Sequence, residues 1–131
     1  MRVNGFFSAC IVGSSLFIAS HALAQNCNLA EGARLFQEQQ CAGCHTYVPD
    51  DYDKSGPNLA GLFGRRAGTV NFPPGFSAAL KNAGVVWSVE TVDRWLANPA
   101  AMLPGTTMPF AGLADAATRK TLVCFLQEKT K

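Results

Sequence analysis

"QQCAGCHTY", residues 39–47, sets two thiols, Cys41 and Cys44, three positions apart and puts the imidazole of His45 directly after the second. Three chemistries use a thiol pair of this kind. A structural zinc site takes four ligands in a tetrahedron, usually as two separated pairs. The chain has no second Cys-x-x-Cys, and its other histidine, His21, lies in a leader-like segment. A dithiol redox pair opens a helix after a strand in a βαβ unit, whereas here the pair follows a helical pattern and leads into loop-like sequence. Covalent haem attachment employs all three side chains: two thiols add to two vinyl groups on one edge of the macrocycle, and the histidine sets its imidazole under the iron. The spacing fits this last chemistry best.

On the N-terminal side the chain begins with a short positive start at Arg2, an uncharged apolar run "CIVGSSLFIA" at 10–19, and Ala22-Leu23-Ala24 in a small-x-small pattern. These are the marks of a secretory signal over residues 1–24. The apolar run is shorter than the ~20 residues a membrane crossing needs, so cleavage with no stable membrane insertion is expected. That leaves residues 25–131, room for one domain. Export implies the periplasm, an oxidising compartment in which thiols pair or are consumed. Of the eleven Lys and Arg only Arg2 is removed, leaving ten against nine Asp and Glu. So balanced a charge offers nothing to nucleic acid or an anionic surface.

On the C-terminal side helical patterns alternate with dense punctuation. Asn28 with Glu31 reads as a capping box, followed by Leu29, Ala33 and Phe36 on one face up to Gln40. From Pro49 to Gly75 four prolines and five glycines exclude a long helix or a central strand. Ser77 to Asn82 reads as a short helix stopped at Gly84, and Ser88 caps a second through "VETVDRWLA" that Asn98-Pro99 ends. Asp115 caps a last helix in which Thr118, Leu122 and Phe125 share a face and Lys129 and Lys131 suit its negative end. Short helices around a loop of about 27 residues make a poor core by themselves. A large apolar ligand would complete it.

The second axial ligand decides between carrier and catalyst, because an open sixth position admits small molecules and a thioether closes it and raises the potential. Outside the leader only Met102 and Met108 offer a thioether. Met108 lies in "LPGTTMPF", where Pro104, Gly105 and Pro109 favour an extended, stiff segment; Met102 reads as loop or packing.

"CAGCH", "GPNLAGLFGR", "GVVW", "NPAAMLPGTTMPFAG" and "LVCFL" occur in the order found in class I c-type cytochromes, and the chain resembles the mitochondrial cytochrome c and bacterial cytochrome c2 branch over nearly all of residues 25–131. The resemblance implies an all-α, small cytochrome c fold, with helices and a long loop wrapped around one covalently bound haem c. It makes Cys41 and Cys44 the thioether attachments, His45 the proximal ligand and Met108 the distal one. Pro57 would accept a hydrogen bond from the other imidazole nitrogen, Arg65 and Trp87 would hold a propionate, and Gly32 and Phe36 would cross Leu122 and Phe125. The same crossing implies a disulfide between Cys27 and Cys124.

Departures from that branch are specific. Trp95 stands where the relatives have a tyrosine beside the methionine sulfur, and its N–H is donor-only. "FSAALKNAG" is shorter than its counterpart and lacks the tyrosine that also holds a propionate there. Gln40, Ala100, Ala101 and Thr107 replace lysines that ring the haem edge. The implied function is a monomeric, periplasmic single-electron carrier between redox protein partners rather than an enzyme. The same ligands would serve a subunit of a dehydrogenase or oxidase complex. A small-molecule haem enzyme would need a distal group and an open position that the sequence does not offer.

Overall fold

The computed structural model describes residues 27–131; the predicted leader lies outside them. Six helices run in order: α1 Leu29–Glu38, α2 Cys41–Cys44, α3 Ala78–Asn82, α4 Val89–Ala97, α5 Pro99–Met102 and α6 Ala116–Lys129. Among the described residues there is no strand, only an isolated bridge between Arg66 and Val86. No helix there is long and apolar enough to cross a membrane.

The ends of the helices follow local chemistry. Asn28, Ser77, Ser88 and Asp115 each accept a backbone N–H with the side chain, satisfying a donor that the first turn leaves unpaired. At α1 the box is half-formed: Asn28 accepts from Glu31 N–H, while the Glu31 carboxylate turns outward to Arg34. The reciprocal box forms at α4 instead, where the Thr91 hydroxyl accepts the N–H of Ser88. Asn98-Pro99 ends α4, but Pro99 also starts α5: the Asn98 side chain accepts from Ala101 N–H, and a proline at the first helical position forfeits no hydrogen bond.

The buried face of α1 is Gly32, Leu35 and Phe36, not the expected Leu29, Ala33 and Phe36; Leu29 is exposed. Gly32 is the cause. A methyl there would overlap Cβ of Phe125, so its absence lets α6 lie directly on α1. Leu122 and Phe125 are fully buried in that crossing, each worth about 1.5–3 kcal/mol in apolar burial. Phe125, Phe36 and Tyr47 form an aromatic triad with centroids 5.2–5.9 Å apart. α4 packs on the same helix. Gly61 N–H donates to the carbonyl of Thr130 at 2.5 Å, tying the loop to the C-terminal end of α6. Thr130 is buried and its hydroxyl has no partner. Cys27 and Cys124 are joined by a disulfide with Cα atoms 5.8 Å apart, fixing the start of α1 to α6.

Candidate haem-binding site

Gln40 takes a left-handed backbone, φ 62°, unusual for a side chain with a Cβ. It ends α1, so the single turn α2 points Cys41 and Cys44 away from the first helix, and His45 leaves that turn extended. Nδ1 of His45 lies 2.8 Å from the Pro57 carbonyl oxygen. A carbonyl can only accept, so Nδ1 carries the proton and Nε2 keeps its lone pair. Burial holds the imidazole below its ordinary range, the Pro57 bond opposes this, and the Lys54 charge adds to it. The ring is therefore a neutral ligand at neutral pH. Lys54 Nζ in turn donates to the Ala42 carbonyl at 2.7 Å, covering an acceptor of α2. Burial pushes the Cys41 thiol up, with the neighbouring Cys44 adding to it.

Gly56 makes this arrangement possible. A methyl on it would overlap His45 Cε1 and lie 2.8 Å from Nδ1 and 3.0 Å from the Cys44 carbonyl. The loop beyond is tied by side chains: Thr46 Oγ1 donates to Asp51 at 2.8 Å, and the Asn58 amide donates to the carbonyls of Val48 and Asp51. These bonds order the glycine- and proline-rich stretch that has no helix of its own.

Met108 sits on a strap between α5 and α6, half-buried, with its sulfur 3.2 Å from the indole nitrogen of Trp95 on α4. Trp95 is itself buried and set edge-on to Trp87 at 5.5 Å. Met102 packs on the core from α5 and does not reach the cavity.

Cys41, Cys44, His45, Pro57, Arg65, Trp87, Trp95 and Met108 all line one cavity of about 760 Å³. Leu62, Leu96, Leu122 and Leu126 supply apolar walls. Arg65 donates to the carbonyls of Ala60 at 3.0 Å and Asn58 at 3.4 Å, and among the described residues it forms no ion pair. Burial lowers its pKa, with Asp53 opposing, yet guanidinium does not lose its proton in proteins. A flat, apolar group with acidic edges fits: two thiols, an imidazole and a thioether converge in one apolar chamber, and Arg65 remains for an anion. The rim is short of charge. Gln40, Thr107 and Pro109 line it, while Ala100 and Ala101 sit on α5 outside the lining.

A second groove of about 680 Å³ runs beside Cys27 and Cys124 between α4 and α6. It is bordered by Glu90, Asp93, Arg94 and Lys120 and holds none of the converging ligands. Gly56, Lys54 and Asn58 do not stand out in the sequence as site residues. The Gly56-Pro57 doublet is the one available signal for the first, and it reads equally as an ordinary turn.

The family model described as cytochrome c matches residues 29–128. Cytochrome c of Stellaria longipes is 45% identical over 103 residues, covering 77% of this chain and 92% of its own. Cytochrome c of Theileria annulata is 42% identical over 99 residues, 76% of this chain and 84% of its own. Among solved structures, cytochrome cH from Methylobacterium extorquens superposes with a TM-score of 0.69 at 33% identity, covering 77% of this chain and 98% of that one.

Proposed function

The chain belongs to the cytochrome c family, an electron carrier with covalently attached haem c and not an enzyme, and from that premise we propose that it is an exported carrier whose iron is held by His45 and Met108. Haem c supplies the one-electron couple. Cys41 and Cys44 anchor the group covalently, and the Pro57 carbonyl orients the His45 ring and raises its basicity. Arg65 and Trp87 take a propionate, for which Arg65 has donors to spare. The apolar walls exclude water and favour the less charged ferrous state.

One observation carries the ligand reading: Met108 shares the cavity with Cys41, Cys44 and His45, and Met102 does not. Export rests on the leader pattern of residues 1–24 and on the Cys27–Cys124 bond, which suits an oxidising compartment. The partners are redox proteins whose docking patches match a rim of amide, hydroxyl and apolar groups.

Met108→Ala tests the ligand. It is expected to lower the potential and let carbon monoxide bind the reduced iron, since a thioether both fills the sixth position and stabilises ferrous haem. Met102→Ala should do neither. If the two variants exchange behaviours, the ligand is Met102.

A further inference from the structure

The hydrogen bond from Trp95 to Met108 reaches beyond the assignment of ligands, although its effect on the iron rests on Met108 being one. Nε1–H of Trp95 is a donor only, it is buried, and among the described residues the Met108 sulfur is its only acceptor, at 3.2 Å. A buried donor left without a partner is costly, so this bond is held firmly. A thioether sulfur has two lone pairs. With one engaged by the indole, a single lone pair remains for a metal.

The same end of α4 fixes the strap around that sulfur. Leu113 N–H donates to the Leu96 carbonyl at 2.8 Å. Gly112, at φ 102°, presses against the carbonyl of Ala97 where a methyl has no room. Asn98 caps α5 at Ala101. Four consecutive residues, 95–98, thus hold the strap before, at and after Met108. Trp87, edge-on at 5.5 Å, keeps the Trp95 ring from turning away.

We propose that Trp95 is a positioning residue that sets the reduction potential through the Met108 sulfur: its N–H draws density from the lone pair it engages and makes the thioether a poorer donor. Ferric iron needs that donation more than ferrous iron does, so the bond favours the reduced state and raises the potential. An indole has no proton to lose in the accessible range, so this contribution is constant with pH.

The test uses the holoprotein with two replacements. Benzothienylalanine at position 95 keeps the two fused rings and removes only the N–H; Trp95→Phe removes the N–H and part of the packing. Redox titration reads the potential, and the near-infrared sulfur-to-iron charge-transfer band of the ferric protein reports ligation. A net hydrogen bond corresponds to about a fivefold factor in an equilibrium. The ferrous-to-ferric ratio at fixed electrode potential is therefore expected to fall about two- to fivefold in both variants, or about 20 to 40 mV for a one-electron couple. Only Trp95→Phe should also lose thermal stability. A benzothienylalanine variant that keeps the band but shows an unchanged or higher potential overturns the proposal and leaves Met108 as ligand. Absence of the band from the unmodified protein overturns the ligand assignment and this proposal with it.

Discussion

Replacing Gly56 by alanine strikes the proximal side where it has least slack. The new methyl would stand 2.8 Å from His45 Nδ1, whereas ordinary van der Waals contact begins at 3.4 Å, so ring or loop must retreat by about 0.6 Å. A displacement of that size is enough to carry the 2.8 Å bond to Pro57 past the ~3.2 Å limit of a good N–H···O bond. Overpacking costs about 1–3 kcal/mol and the lost bond about 1 kcal/mol. The expected loss is therefore about 2–4 kcal/mol. Urea unfolding of the holoprotein, followed by circular dichroism, should show a lower midpoint with an unchanged slope. Gly43→Ala is the matched control, because a methyl there meets nothing within 4 Å and the site is helical. It is expected to leave the midpoint unchanged or slightly higher. Equal stability of Gly56→Ala and the unmodified protein, with the imidazole bond intact by NMR, would refute the packing account.

Thr130→Val removes a buried hydroxyl that has no partner and keeps the shape, so stability should rise by about 1 kcal/mol; a loss in thermal unfolding would mean that the hydroxyl is bonded after all. Cys27→Ser with Cys124→Ser opens a closure spanning 97 positions. Chain entropy bounds the loss at about 4.7 kcal/mol, and the measured loss should be smaller because the haem bonds also restrain the unfolded chain. Peptide mapping without reductant should recover the two cysteines as one linked pair; recovery of both as free thiols refutes it. Electron transfer to a physiological partner should depend weakly on salt, because Gln40, Thr107 and Pro109 at the rim bear no charge. A slope as steep as that of a lysine-ringed relative with the same partner refutes the neutral docking face.

Local signals carry the helices well. Asn28, Ser77, Ser88 and Asp115 are caps because of groups within three residues of themselves, and such information is written in adjacent sequence. The proximal thiols and imidazole are equally local, being five consecutive positions. α5 escapes a sequence reading because Asn98-Pro99 carries two messages, a stop for the helix before and a start for the helix after, and the first masks the second. The rotated face of α1 escapes because Gly32 has no hydrophobicity to count. Its role is to be absent where Phe125 arrives from 93 positions away. The Gly56 contact and the Trp95 bond have the same character. Each is a distance between segments, and a single sequence encodes distances only through the fold that results.

The crossing of α1 with α6 also imposes an order in time. Synthesis proceeds from the N-terminus, so Cys41, Cys44 and His45 are made before Leu122 and Leu126, which wall the same cavity from the last helix. The gap from His45 to Leu122 is about 77 residues, or about 4 to 15 s at ordinary elongation rates. Throughout that interval the two thiols stand on a chain that has no last helix to fold against. The Gly61–Thr130 bond closes the loop only when the penultimate residue has been added. The site is thus open to a large planar guest early and shut around it late.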